Sequence, residues 1–341
     1  MKALGKLKKE PGLWLHDAPI PICRKNEILV RVKKTSICGT DLHIYKWDTW
    51  AQNTITVPMI TGHEFVGVIE EIGKDVKNLK IGTRIVGEGH LVCGYCRNCR
   101  AGLRHFCSHE KGIGVNINGC FAEYITIPAS NAILIPDNIS DEVASCLDAL
   151  GNAIHTAHSF DLVGEDVLIT GAGPIGIMSA VVAKHLGARI VIITDVSDYR
   201  LSFAQKLGIQ HTVNVQRDNL QDIMKKLEII EGFSIGLEMS GNSEAFNQML
   251  KALNYGGKIA ILGILPDGVG IPWTHAIFHG LTLRCIYGRQ IYDTWYKMIA
   301  ILESGLDIAN IVTHSLNYTE FAKGFELSIR GASGKVVLDW S

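Results

Sequence analysis

The hydrophobic residues of this chain change their spacing near residue 164, and the change divides the sequence into two textures. Before it, short β-branched runs such as Ile28 to Val32, Phe65 to Ile72 and Phe121 to Ile127 are punctuated by glycine and proline, which predicts a strand-rich region with long loops. After it, apolar strand-like runs alternate with longer helical patterns. Asp166 to Thr170 is followed by a helical stretch from Ile175 to Leu186 and a strand-like run from Arg189 to Thr194. Further strand candidates are His211 to Val215, Ile235 to Met239, Lys258 to Leu262 and Thr282 to Tyr287. Six strands alternating with helices predict an α/β unit, a doubly wound parallel sheet covered on both faces. Helical patterns then run over 294–304 and 319–329, and a strand from Lys335 to Leu338 is expected to return to the first region. The expected domains are therefore 1–150 with 291–341, and 151–290.

Composition sharpens this outline. A chain of 341 residues with 47% hydrophobic content has enough apolar material for two cores. The formal net charge of -1, with no long run of one sign, argues against nucleic acid and favours small-molecule partners. The N-terminal Met1-Lys2-Ala3-Leu4-Gly5-Lys6 lacks an apolar leader and no window has the uninterrupted apolar length of a membrane span, so a cytoplasmic protein is expected. In a reducing compartment, nine cysteines point to metal binding beside ordinary buried thiols such as Cys23, Cys120, Cys146 and Cys285.

Four of those cysteines, Cys93, Cys96, Cys99 and Cys107, form the pattern C-x2-C-x2-C-x7-C. Tight turns at Gly94, Asn98 and Gly102 let the sulfurs converge on one ion, which reads as a closed tetrathiolate zinc site in a lobe over about 90–110. With no open position, such a site holds a loop together and does no chemistry. A disulfide pair, unrelated buried thiols or an iron-sulfur cluster are the other readings of the same pattern.

A second motif follows the strand Val167-Leu168-Ile169-Thr170: Gly171-Ala172-Gly173-Pro174-Ile175-Gly176, a Gly-x-Gly-x-x-Gly between strand and helix. Gly171 permits the turn, Gly173 lets a pyrophosphate approach the backbone, and Gly176 allows close helix-strand packing, with the helix N-terminus supplying amide donors. Glycines placed for sterics alone are the plain alternative. Asp195, nineteen residues past Gly176, is placed to accept hydrogen bonds from ribose hydroxyls and to repel a 2′-phosphate, so NAD is expected over NADP. Arg200 can tolerate a phosphate, or equally bind the ribose edge or stack on adenine.

The third constellation is Cys38-Gly39-Thr40-Asp41-Leu42-His43 with Gly62-His63-Glu64. A thiolate, an imidazole and a carboxylate suit a zinc ion whose fourth position is open to a substrate oxygen. Singly, each residue has a plain explanation as a core thiol, a hydrogen-bonded histidine or a solvated loop residue.

Through Cys38-Gly39-Thr40-Asp41, Gly62-His63-Glu64, the four-cysteine lobe and the Gly171 to Gly176 turn, the chain resembles the zinc-dependent medium-chain alcohol dehydrogenase family over nearly its full length. The resemblance implies a GroES-like catalytic domain joined to a Rossmann domain, NAD as hydride acceptor, and two zinc ions per subunit. It implies Cys38, His63 and Glu64 at the catalytic zinc, and a proton path from Thr40 through the cofactor ribose to His43. Asp148, in Leu147-Asp148-Ala149-Leu150, falls on the slot of the third protein ligand; either it or Glu64 touches the ion, and Asp148 otherwise serves proton relay. Further NAD contacts are expected at Ile175, at Leu262-Gly263-Ile264 and at Ile286-Tyr287. Within the family, Ile60-Thr61-Gly62-His63-Glu64-Phe65-Val66-Gly67 and the stretch around Asp148 are most similar to the branch that oxidises the 3-hydroxyl of L-threonine. L-threonine is thus the implied substrate, with a polyol such as sorbitol or a vicinal diol such as butanediol as the alternative. His90, beside Glu88, is the candidate for holding the amino-acid head group. The family habit implies a homo-oligomer, a tetramer, with Leu283 to Tyr287 at the seam.

Overall fold

The computed structural model describes residues 1–341, which form two compact units. One contains Met1–Ala149, Ile291–Trp295 and Val312–Ser341; the other contains Leu150–Gln290 and Tyr296–Ile311. Residues 296–311, expected with the first unit, pack with the second. Their helix Asp293–Glu303 and following turn bury Met298, Leu306 and Ile308, and Ser304 Oγ lies 3.0 Å from His185 Nε2. No helix is long and apolar enough to cross a membrane.

The first unit is built on the strand Glu27–Ser36, whose alternation of buried aliphatics with Arg31 and Lys33 gives it one core face and one wet face. It pairs antiparallel with Phe65–Ile72, Tyr124–Pro128 and the C-terminal strand Lys335–Asp339. Arg84–Gly87, Ala132–Leu134 and Val312–Asn317 complete a seven-stranded sheet over a core that includes Ile28, Val30, Phe65, Ile69, Phe121 and Phe325. The run expected over 121–127 is ordered as a strand only from Tyr124 to Pro128. The sheet's register matters for chemistry: Val337 stands opposite Ser36, while Ser36 donates its backbone N–H to the Glu64 carbonyl. Residues from three remote stretches of chain are therefore drawn to one spot.

The second unit contains a six-stranded, wholly parallel sheet ordered His211–Asn214, Ile190–Asp195, Asp166–Thr170, Phe233–Glu238, Leu253–Ile261 and Thr282–Cys285. Every residue of Asp166–Thr170 is buried, as a central strand covered on both faces requires. Chain order reverses between Asp166–Thr170 and Phe233–Glu238, and the carboxyl ends of strands at such a switch point form a ligand crevice. Thr282–Cys285 is the sheet's edge; the strand expected to reach Tyr287 stops at Cys285.

Candidate active site

Cys38 caps the N-terminus of helix Gly39–Lys46 in an extended conformation, and Asp41 at the third helical position reaches back to accept the Cys38 backbone N–H at 2.9 Å. The Cys-Gly-Thr-Asp string is thus a helix start tied back to Cys38 by the Asp41 carboxylate. Asp41 is fully buried, and burial, set against the neighbouring His63, raises its carboxyl to about 6. Its Oδ1 lies 3.7 Å from Nδ1 of His63. His63 in turn is placed by Gly62, whose φ of +84° and whose close approach to the Phe121 ring, 2.3 Å from an added Cβ, leave no room for a side chain.

Ligand atoms of Cys38, His63 and Glu64 lie within 4.8 Å of one another. Glu64 is buried, and its two oxygens are treated differently. Oε2 accepts from Lys335 Nζ at 2.6 Å and from the Ser36 hydroxyl, whereas Oε1 has no hydrogen-bond partner. Lys335 is itself buried and donates to the Ile37 carbonyl at 2.9 Å. Burial opposes its charge, but Glu64 outweighs burial and holds the ammonium above its usual range. Burial likewise opposes a charge on His63, yet the Asp41 carboxylate and the Cys38 thiol raise it well above its ordinary value. Buried oxygens of Asp41 and Glu64 and Nδ1 of His63 lack hydrogen-bond partners, so this anion-rich pocket fits a divalent cation. Asp148, in the first turn of helix Leu147–Ala157, is also buried and acts on His63 electrostatically, but it stands outside the three-residue cluster. Asp41, Ser36 and Lys335 were not singled out from sequence. Asp41 had a signal in its capping position; Lys335, 271 residues from Glu64, had none.

Thr40 and His43, three apart on the same helix, share one face. The His43 side chain is exposed, its Nδ1 bonded to the Asp48 carboxylate. His90 Nδ1 lies 2.8 Å from Glu88 Oε1 and Nε2 lies 3.7 Å from Glu110. Glu88 is fully buried and accepts the Trp295 indole N–H at 2.6 Å and the His90 backbone N–H at 2.8 Å, so it supports His90.

The four-cysteine lobe brings its ligand atoms within 4.8 Å of one another. Gly94 and Gly102 adopt φ of +76° and +82°, the turns that converge the chain. Sγ of Cys107 lies 3.6 Å from that of Cys93 and 4.0 Å from that of Cys96. Tetrahedral coordination at roughly 2.3 Å per bond spaces sulfurs by about 3.8 Å, whereas a disulfide brings them to about 2.05 Å. Backbone amides of Cys96, Cys99 and His109 donate to Sγ of Cys93, Cys96 and Cys107. The Cys99 amide leads in pulling Cys96 down to about 5, while burial pushes Cys99 up to about 12. A cation is the natural counter-charge for four sulfurs so arranged.

In the second unit, Gly173 caps helix Pro174–His185 with open space where a Cβ would stand. Gly176 packs so tightly that a Cβ would fall 1.9 Å from the Gly171 carbonyl oxygen. Asp195, at the end of its strand, accepts the Ala172 N–H of the glycine turn at 2.7 Å, and Arg200 stands 3.8 Å away. Leu262 and Gly263 donate backbone N–H groups to the Glu238 carbonyl at the end of the neighbouring strand, and Ile264 is exposed. Ile175 lies in the helix's first turn, and Ile286 donates to the Ile261 carbonyl just beyond the edge strand, followed by exposed Tyr287.

The chain matches the alcohol dehydrogenase GroES-like domain over residues 24–137 and the zinc-binding dehydrogenase domain over residues 174–304. It is 58% identical to L-threonine 3-dehydrogenase of Marinomonas sp. (strain MWYL1) over 341 residues, all of both chains. Among solved structures, the alcohol dehydrogenase of Thermus sp. ATN1 superposes with a TM-score of 0.90 at 29% identity over 99% of each chain. An Escherichia coli CFT073 alcohol dehydrogenase complexed with NADH superposes with a TM-score of 0.91 at 25% identity, over 100% of this chain and 99% of that one. With both domain types in sequence, a parallel dinucleotide sheet and two metal-ready clusters, the chain belongs to the zinc-binding alcohol dehydrogenase family of oxidoreductases.

Proposed function

We propose that this enzyme oxidises the 3-hydroxyl of L-threonine to L-2-amino-3-oxobutanoate with NAD, a step in threonine breakdown towards glycine. The observation that carries the chemistry is the buried Cys38, His63 and Glu64 cluster with its partnerless oxygen and nitrogen atoms. The substrate rests on full-length relatives at 58% and 57% identity that are L-threonine 3-dehydrogenases.

Cys38, His63 and Glu64 would hold the catalytic zinc and Cys93, Cys96, Cys99 and Cys107 the structural one. Bound zinc acts as a Lewis acid that makes an alcohol proton easier to remove, and NAD accepts the hydride. Glu64 is the better candidate than Asp148 for the third ligand, because its Oε1 has no other partner while Lys335 and Ser36 fix Oε2. Asp148 then acts on His63 through space and on proton traffic. Thr40 would accept the substrate's hydroxyl proton as its hydroxyl gives up its own, and His43, on the same helix face and exposed, would take up a proton and release it to solvent. His90, buttressed by Glu88, is the candidate contact for the amino-acid head group.

NAD would lie along the Gly171, Gly173, Ile175 and Gly176 turn, with Asp195 taking ribose hydroxyls, Arg200 beside it, and Leu262, Gly263, Ile264, Ile286 and Tyr287 lining the strand ends. Asp195 Oδ1 already accepts the Val196 and Ser197 amides, whereas Oδ2 accepts only that of Ala172 and keeps a lone pair for a ribose hydroxyl. A homotetramer belongs to the same reading. The edge strand Thr282–Cys285 is unpaired on its outer side, and Trp273, Ile277 and Phe278 nearby in sequence are 61%, 70% and 76% exposed. A monomer in light scattering would remove that element. Nine free thiols fit a reducing cytoplasm.

The substrate assignment is tested by steady-state rates at fixed NAD with L-threonine, L-allothreonine, sorbitol and 2,3-butanediol. Threonine should exceed sorbitol and butanediol in kcat/KM by at least about a hundredfold, since a site built for charged ammonium and carboxylate groups loses those contacts with a neutral diol. Comparable values for sorbitol would move the enzyme to the polyol branch.

A further inference from the structure

The Asp48 carboxylate sits between two tasks. Its Oδ1 accepts the Ala51 backbone N–H at 3.1 Å, capping helix Thr49–Thr54, and its Oδ2 meets Nδ1 of His43. The loop that carries it is held in place: Trp47 adopts a left-handed conformation with φ of 55°, and its carbonyl accepts the Gln52 side-chain amide at 2.8 Å. The Trp50 ring meets His43 edge-on with centroids 5.9 Å apart. His43 is thus clamped by a carboxylate on one nitrogen and an indole against its face or edge, although its side chain is exposed.

We infer that Asp48 is a positioning residue for proton release: it fixes His43 in the tautomer with hydrogen on Nδ1 and so keeps Nε2 as the proton acceptor. This rests on the relay reading of Thr40 and His43. An ionised carboxylate only accepts, so the imidazole nitrogen facing it must carry hydrogen, and the ring's remaining lone pair is on Nε2. When Nε2 takes a proton the ring becomes a cation beside the carboxylate, which stabilises it; passing the proton to water returns the same neutral tautomer. Only O–H and N–H bonds are made or broken: Nε2 takes the proton from a hydroxyl of the relay and hands it to a water oxygen. The plain alternative is a surface contact that only caps a helix, and the two are separable because asparagine caps as well as aspartate. In Asp48→Asn the side-chain amide presents N–H to Nδ1, which favours hydrogen on Nε2, the tautomer unable to accept.

The test is a kinetic double-mutant cycle with L-threonine and NAD, alongside melting temperature and NADH affinity. His43→Ala should lower kcat by about a hundredfold and Asp48→Asn by about tenfold, in the range of one general-base contribution and part of it. Asp48→Asn should add less than about twofold in the His43→Ala background, because its effect runs through the ring. Asp48→Glu, which keeps the charge, should recover most of the rate. If His43→Ala is slow but Asp48→Asn keeps parental kcat, or slows both backgrounds equally, the inference falls and the relay stands. If His43→Ala turns over at the parental rate, the relay reading fails and the inference goes with it.

Discussion

Replacing Cys38 with serine should abolish threonine oxidation while leaving NADH binding close to parental. A serine hydroxyl stays protonated near neutrality and is a poor substitute for thiolate, so a metal held by the proposed Cys38, His63 and Glu64 set would lose its softest ligand. Lewis-acid stabilisation of this kind contributes several kcal/mol, and about 4 kcal/mol corresponds to roughly a thousandfold in rate. The residues proposed for NAD belong to the other compact unit, whose glycine turn and Asp195 are untouched by the change. Steady-state turnover measured beside NADH fluorescence titration separates the two effects. A Cys38→Ser enzyme with parental turnover would remove Cys38 from the metal.

Lys335→Met should destabilise the metal-free protein by about 3–5 kcal/mol, the usual cost of stranding one partner of a buried ion pair. Methionine nearly matches the lysine stem in volume, so the loss is electrostatic and not a cavity. Glu64 would keep the Ser36 hydroxyl but lose its 2.6 Å ammonium, and the Ile37 carbonyl would lose its donor. Zinc would supply a counter-charge to Glu64, so adding it should recover part of the loss. With the carboxylate no longer held, zinc affinity should fall about 10- to 100-fold, the typical penalty for removing a group that orients a ligand. Urea denaturation of the stripped protein and chelator competition for zinc read these effects separately. Parental values in both would mean that Lys335 does not orient Glu64.

Much of this could be read along the chain because the signals are local. The alternation of apolar strands and helices over 166–287 predicts the six parallel strands, missing mainly their ends: 235–239 is observed as Phe233–Glu238, and 258–262 as Leu253–Ile261. Ends shift because tertiary pairing, more than propensity, decides where a strand stops. The glycine turn and the cysteine lobe are encoded by spacing, and the backbone angles at Gly171, Gly94 and Gly102 agree with it. The Lys335, Glu64 and Ser36 cluster was not legible, since hydrophobic periodicity tells which face is buried but not which strand lies opposite. That pairing is a matter of register between strands 300 residues apart, as in Val337 opposite Ser36. The surroundings of Glu88 were hidden for a related reason. A carboxylate beside a candidate ligand residue looks available in sequence, and only the fold shows the Trp295 indole already bonded to it. Asp48 lies just five residues from His43, yet nothing in the string distinguishes a helix cap from a histidine partner, and the structure makes it both.

The most direct measurement follows threonine-dependent NADH formation through a cycle of metal removal and return. Protein stripped of all but its lobe zinc should lose at least about 99% of its rate, a deficit of the size expected for a lost Lewis acid, and regain it on adding one equivalent of zinc. Full-speed oxidation by that preparation, with only the lobe zinc remaining, would contradict a metal held by Cys38, His63 and Glu64 as the centre of this chemistry.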